Sequence, residues 1–310
     1  MSQPNQQHPF APSLPSPNSA NVDKPVLIWL VCVTLAILLA WPMSTYGLQP
    51  DHADQIPHVN QKARDNFMVY IYAQEHKAYA IAPGGGWAWT ENANSEEEAR
   101  TDALQRCQRH AEQKCVLYSL NDKIVFDAKA WPRLWRLDES DKNVASLTGV
   151  KRGYQFPNLR FQDQKGKPQS IGDFKGKITL VHFWGSWCPP CMREMPVLKN
   201  LQTTLKKKYG NKVALVLLQV REPFSASQQW VKKNKLDQLP LYDSGAKNSA
   251  DAFIKTVDGK SYPDRKLAKA FPASYVLDRN GRILFSHKGP ITDWDEYLAF
   301  FNDAVKHGSK

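Results

Sequence analysis

Cysteine is scarce in this chain, five in 310 residues, and only Cys188 and Cys191 stand close together. No second pair and no clustered histidines follow them. A zinc site needs four such ligands, so a metal is excluded here, and no bound cofactor is expected. Compact Lys/Arg blocks with interleaved aromatics are also missing, despite a net charge of +11. Lys206-Lys207-Lys208 and Lys232-Lys233 read as solvated helix faces, which excludes nucleic acid as a partner. The positive balance favours acidic partners or an anionic membrane surface. Charge itself is missing between Lys24 and Asp51.

That gap organises the N-terminus. Residues 1–25 are mostly Pro, Asn, Gln and Ser, cannot build a core, and read as a disordered tail. From Val26 to Trp41 only Thr34 is polar, and a helix over 26–46 at ~1.5 Å per residue would cross a ~30 Å hydrocarbon layer. Trp29 and Trp41 stand near its two ends, where aromatic rings favour the interface. The long polar leader and the lack of a small-x-small site favour a signal anchor over a cleaved signal peptide. Lys24 on one side and Asp51 and Asp54 on the other direct the C-terminal part outward. Cys32 lies in the apolar run, leaving Cys107 with Cys115 and Cys188 with Cys191; even pairing suits an oxidising compartment.

Residues 47–65 read as a linker and 66–127 as a small α+β domain. Phe67–Tyr72 fits a strand or a helical turn, and Tyr79–Ile81 and Trp87–Trp89 fit short strands around Gly84-Gly85-Gly86. Ser95 followed by Glu96, Glu97 and Glu98 predicts a capped helix running to about Gln113. A strand from Cys115 would return along it and bring Cys107 and Cys115 together. A structural staple is the first reading of that pair, with buried free thiols or a redox role as alternatives. Residues 128–152 form a connector whose Trp131 and Trp135 either pack the two domains together or bind a partner.

The unit 153–310 alternates strand, helix, strand, helix, hairpin and helix. That order gives a three-layer α/β sandwich with a mixed sheet. Its first strand, Ile178–Trp184, leads into Trp187, Cys188, Pro189, Pro190 and Cys191, which open a helix to about Tyr209. A thiol at a helix start meets orphan N–H groups that favour a thiolate, so Cys188 is the expected nucleophile. Pro190 suits the first turn, where its missing N–H is no loss. Cys191, one turn inward, is the expected resolving thiol.

The stretch Lys177 to Pro196, with Trp184, Trp187, the two cysteines and prolines, Glu194 and Pro196, resembles the thioredoxin fold. More narrowly it resembles the membrane-anchored TlpA/ResA-like thiol-disulfide oxidoreductases over about 150 residues. The resemblance implies that Pro272 is a cis-proline packed against the dithiol. Phe271 then borders the substrate groove, selecting substrates or merely packing. His182 takes the place of thioredoxin's buried Asp, either as a hydrogen-bonded core histidine or as acceptor of the Cys191 proton near neutral pH. Glu194 reads as an early-turn carboxylate answering the helix dipole, with docking as its second reading, and Trp187 shields the bond or contacts a partner. Residues 66–127 resemble small extracytoplasmic domains, which implies a Cys107–Cys115 disulfide and no activity. Together these imply a single-pass protein of the bacterial inner membrane with periplasmic C-terminal domains. It would reduce protein disulfides with electrons from a transmembrane thiol donor. A client-binding protein with a structural thioredoxin-like domain, or a disulfide oxidase or isomerase, are the alternatives.

Overall fold

Ala78, Ala80 and Ala82 alternate with Tyr79 and Ile81, and that alternation organises the first part of the computed structural model, which describes residues 47–111, 113–134, 147–250 and 252–307. β1 (Ala78–Ile81) lies between β2 (Trp87–Thr90) and β3 (Val116–Leu120), both antiparallel to it, with β4 (Lys123–Ile124) beyond β3. One face of this sheet is aromatic. Tyr79 and Ile81 pack there with Tyr118, Trp131 and the buried side of α1 (Gln61–Ile71), which brings Phe67 and Tyr70. The other face is alanine, and its small side chains admit Ala99, Ala103 and Cys107 of α2 (Glu96–Gln108). Ser95 caps α2 by accepting the Glu98 N–H at 3.1 Å, and three carboxylates occupy its first turn.

Two expectations for this part are corrected. Residues 47–65 are no free linker: Leu48, Ile56 and Val59 are buried in the aromatic core, and α1 already begins at Gln61 behind an Asn60 cap. The first α1 turns are polar, which hides the helix start from a search for apolar periodicity. α2 stops at Gln108, not near Gln113. The Gln108 amide donates to the carbonyls of Ala111 and Gln113 and accepts the Cys115 N–H, so the chain reverses there, and Cys107 and Cys115 are joined. The tail 1–25, the apolar run 26–46 and Trp135 lie outside the described residues. Among those described, no helix is long and apolar enough to cross a membrane.

The second part is built on one mixed sheet. β7 (Ile178–Trp184), β8 (Val213–Gln219) and β9 (Leu241–Asp243) are parallel, and β7 and β8 read as the largely apolar, mostly buried runs of a doubly covered sheet. β12 (Ala273–Leu277) and β13 (Ile283–Lys288) form an antiparallel hairpin beside β7, with Asp278 accepting the N–H groups of Asn280 and Arg282 in its turn. β5 (Arg160–Gln162) and β6 (Pro168–Ser170) complete the far edge, so the strand order is β13-β12-β7-β8-β9-β5-β6. The crossovers α3 (Pro189–Tyr209) and α4 (Phe224–Lys233) run in the same direction along the sheet. Right-handed connections therefore put both on one face, where α5 (Leu298–His307) joins them in a common core. The expected third layer is thin. The opposite face carries no long helix among the described residues; it is covered by the hairpin of β10 (Phe253–Lys255) and β11 (Ser261–Pro263), the 156–174 segment and one helical turn at Asp264–Leu267.

The two parts meet along β13 and α5. Gln113 Nε2 donates to the Leu284 carbonyl at 3.0 Å, and His58 Nε2 lies 2.9 Å from Asp303 Oδ2. The His58 ring meets Trp131 and Phe300 edge-on, so Trp131 packs at this junction. Gly84 allows the approach: with φ +87, an added Cβ would sit 2.9 Å from the Phe285 ring.

Candidate active site

Cys188 is the N-cap of α3, and Pro189 and Pro190 fill the first two helical positions, where φ is already suitable and no N–H is missed. Cys188 and Cys191 are bonded to each other. Cys188 Sγ accepts the Cys191 N–H at 3.3 Å, so a sulfur occupies the capping position usually held by a Ser or Asp oxygen. In the reduced protein that sulfur would face the positive end of a 21-residue helix, an electrostatic setting that favours the charged form of a thiol. Cys188 is 3% exposed and Cys191 fully buried. Chemically, such a pair can take and return two electrons by disulfide exchange.

Behind the dithiol lie two buried ionisable side chains. His182 stands opposite Ser274 in the β7–β12 register, and its Nδ1 lies 2.9 Å from Ser274 Oγ. Complete burial drives its pKa down to about 3. Of the two readings offered by the sequence, this burial and the Ser274 contact favour the hydrogen-bonded core histidine. Glu194 is displaced from its expected role. It is 2% exposed and turned inward, accepting the Trp294 Nε1–H at 2.8 Å, with Oε2 unpartnered. Burial pushes its pKa up to about 7, the hydrogen bonds from Trp294 and the Ile291 backbone opposing only part of the rise. At i+3 from Cys191 it is a helical neighbour of the inner sulfur, ~5–6 Å away between Cβ atoms.

The rim is built from three loops. Trp187 is 41% exposed, with Nε1 bonded to the Val220 carbonyl at 2.9 Å and its ring edge-on to Phe271 at 5.4 Å. Gly185 makes room for that indole, since an added Cβ would lie 2.2 Å from Trp187 Nε1. The Phe271–Pro272 bond is cis, and Ala273, which follows, pairs with Phe183 beside the end of β7 that leads to the cysteines. Arg221 joins the rim elements. Its guanidinium lies 6.0 Å from the Trp187 ring and 5.3 Å from the Phe271 ring, and it is held by both oxygens of the buried Asp264 carboxylate. Arg265 covers Phe271 at 4.9 Å. Ser186 donates through N and Oγ to Glu222, which Ser227 also reaches, fixing the loop just before Trp187.

Of the residues singled out in the sequence, Cys188, Cys191, Trp187, Pro189, Pro190, Phe271, Pro272, His182 and Glu194 fall in this neighbourhood. Cys107 and Cys115 do not; their bridge belongs to the alanine core of the first sheet. Sequence reasoning missed Arg221, Asp264, Arg265, Glu222, Ser274 and Trp294. Only Arg221 carried a local signal, a basic residue directly after the apolar β8 run.

A sulfur-capped helix following the central strand, with a cis-proline strand alongside, defines a thioredoxin-like α/β fold built for thiol–disulfide exchange. Sequence comparisons with known proteins agree. The Redoxin family model matches residues 151–298. The chain is 31% identical over 148 residues to the thiol-disulfide oxidoreductase ResA of Bacillus thuringiensis subsp. konkukian, covering 47% of this chain and 76% of that one. It is 30% identical over 144 residues to the thioredoxin-like protein YneN of Bacillus subtilis, covering 46% and 75% respectively. Among solved structures, StoA from Bacillus subtilis aligns over 48% of this chain and 98% of its own at 24% identity, with a TM-score of 0.35. The chain belongs to the TlpA/ResA-like family and is a thioredoxin-like disulfide oxidoreductase.

Proposed function

We propose that this oxidoreductase is a membrane-tethered reductant of protein disulfides, with Cys188 as nucleophile and Cys191 as resolving thiol. The carrying observation is Cys188 Sγ at the N-cap of α3, accepting the Cys191 N–H, with Cys191 deeper in the core. The Cys188 thiolate attacks one sulfur of the client disulfide, and the other client sulfur leaves as a thiolate that takes a proton from water. Cys191 then loses its proton and attacks Cys188 Sγ. The mixed disulfide breaks, the second client thiol departs, and two electrons have passed from the dithiol to the client. Glu194, with an unpartnered oxygen and a pKa near 7, is better suited than His182 to take the Cys191 proton.

The charge-free apolar run 26–46 supports a bilayer anchor, and the few charges flanking it support a periplasmic position for the rest of the chain in the bacterial inner membrane. There a transmembrane thiol donor would return the bridge to the dithiol. Two measurements test the reading. Cys191→Ser should accumulate a mixed disulfide with a protein substrate while Cys188→Ser forms none; the reverse pattern would exchange the two roles. The reduction potential of the pair in a glutathione buffer tests direction: a value at or below about −270 mV supports reduction, and one near about −120 mV would make the protein an oxidant.

A further inference from the structure

β2 is the outer strand of the N-terminal sheet and pairs with β1 alone. The Ala82 N–H bonds to the Gly86 carbonyl at 2.7 Å and sets the register of this hairpin. Antiparallel pairs alternate between bonded and non-bonded, so Ala88 directs its peptide groups toward β1 while Trp87 and Trp89 direct theirs outward. Among the described residues, those outward groups have no hydrogen-bond partner. A strand edge left open between two large aromatic side chains is a pairing template unless something uses it.

That edge opens onto a cleft of about 730 Å³ between β2, the C-terminal end of α2 and β13. Arg106, Arg109, His110 and Lys288 line it, all exposed, and no carboxylate is among its described lining residues. Asp102, which bonds Arg106 at 2.7 Å and also draws on Arg109, lies outside the lining. Lys288 pairs in register with Ala273, the residue after Pro272. One inter-strand step of ~4.8 Å therefore separates the cleft wall from the strand that starts at the cis-proline.

We propose that this cleft docks an extended, acidic segment of a partner protein, which adds to β2 as a further strand. Main-chain bonds to Trp87 and Trp89 hold the segment, and its carboxylates face Arg109 and Lys288. The length of β2 admits about four residues at ~3.4 Å each. The site is independent of disulfide exchange, although a client seated here would lie beside the strand that leads to the dithiol.

The test uses the full chain and a fluorescein-labelled ten-residue peptide of alternating Glu and Thr, with a Lys/Thr peptide as control. The acidic peptide should bind at least about tenfold more tightly than the basic one, and Arg109→Glu or Lys288→Glu should each weaken it about tenfold. On binding, the Trp87 and Trp89 amides should exchange more slowly with solvent while Ala88 is unchanged. Equal affinity for the two peptides, no binding, or binding without slowing at those two amides would overturn the proposal. Cys188→Ser/Cys191→Ser should bind the acidic peptide as the parent does, so the docking result and the outcome of the exchange experiments are read separately.

Discussion

Replacing Glu194 by Gln removes a proton-binding group from the core without changing its shape. Burial raises the carboxyl from its ordinary 4.5 to about 7. The native state therefore binds a proton more tightly there than the unfolded chain does. Below pH 4.5 both states hold the proton and the group is neutral in its effect. Between 4.5 and 7 the unfolded chain releases it first, so stability falls as pH rises, and above 7 the loss is complete. At ~1.4 kcal/mol for each pH step the full loss is about 3 kcal/mol. The replacement amide cannot ionise and still accepts the Trp294 N–H through its carbonyl. Relative to wild type, Glu194→Gln should therefore gain about 3 kcal/mol between pH 4 and pH 8. Guanidinium unfolding of the oxidised protein, followed by tryptophan fluorescence across that range, gives the difference directly. A pH-independent difference between the two proteins would refute the burial reasoning, as would a gain that grows toward low pH.

Arg221→Ala should destabilise the fold by about 3 kcal/mol by leaving the Asp264 carboxylate buried and unpaired; adding Asp264→Asn should recover much of it, so the double-variant melting point decides. His182→Asn should leave the shape of the exchange rate against pH unchanged between 5.5 and 8, because the imidazole titrates near 3; a lost inflection in stopped-flow profiles would contradict this. Ser274→Ala should lower stability by about 1 kcal/mol, read from thermal melts, through the lost bond to His182. Paired replacement of Cys107 and Cys115 by Ala should remove about 2–3 kcal/mol, the entropy of a loop with sequence separation 8, while the Cys188–Cys191 potential stays the same.

The elements that a sequence reveals are those whose signal is local. β7 and β8 are largely apolar runs, the Asp278–Gly281 turn announces its hairpin, and the two cysteines state their chemistry through a spacer of two prolines. What escaped depends on distant pairing. Arg221 and Asp264 are 43 residues apart, His182 and Ser274 are 92, and Glu194 and Trp294 are 100. Glu194 illustrates the difficulty: its position early in a helix suggests a solvated carboxylate, and only the packing of α5 and its preceding loop over α3 turns it inward. The thin third layer has the same origin, since the 243–269 segment carries too few consecutive apolar residues to declare a long helix and folds instead as a short hairpin and one turn.

The junction along β13 has a further consequence. A mixed sheet offers two open margins at which identical molecules could polymerise. Here the β6 margin is three residues long and begins with a proline, while Ile283 on the β13 side is bonded to Gly153 and Tyr154 and the Gln113 amide reaches Leu284. The larger domain's own 153–154 segment and the Gln113 amide of the smaller domain thus close the start of the β13 margin together. Edge pairing is therefore blocked where β13 begins, while its Phe285–Lys288 end remains the wall of the cleft beside β2.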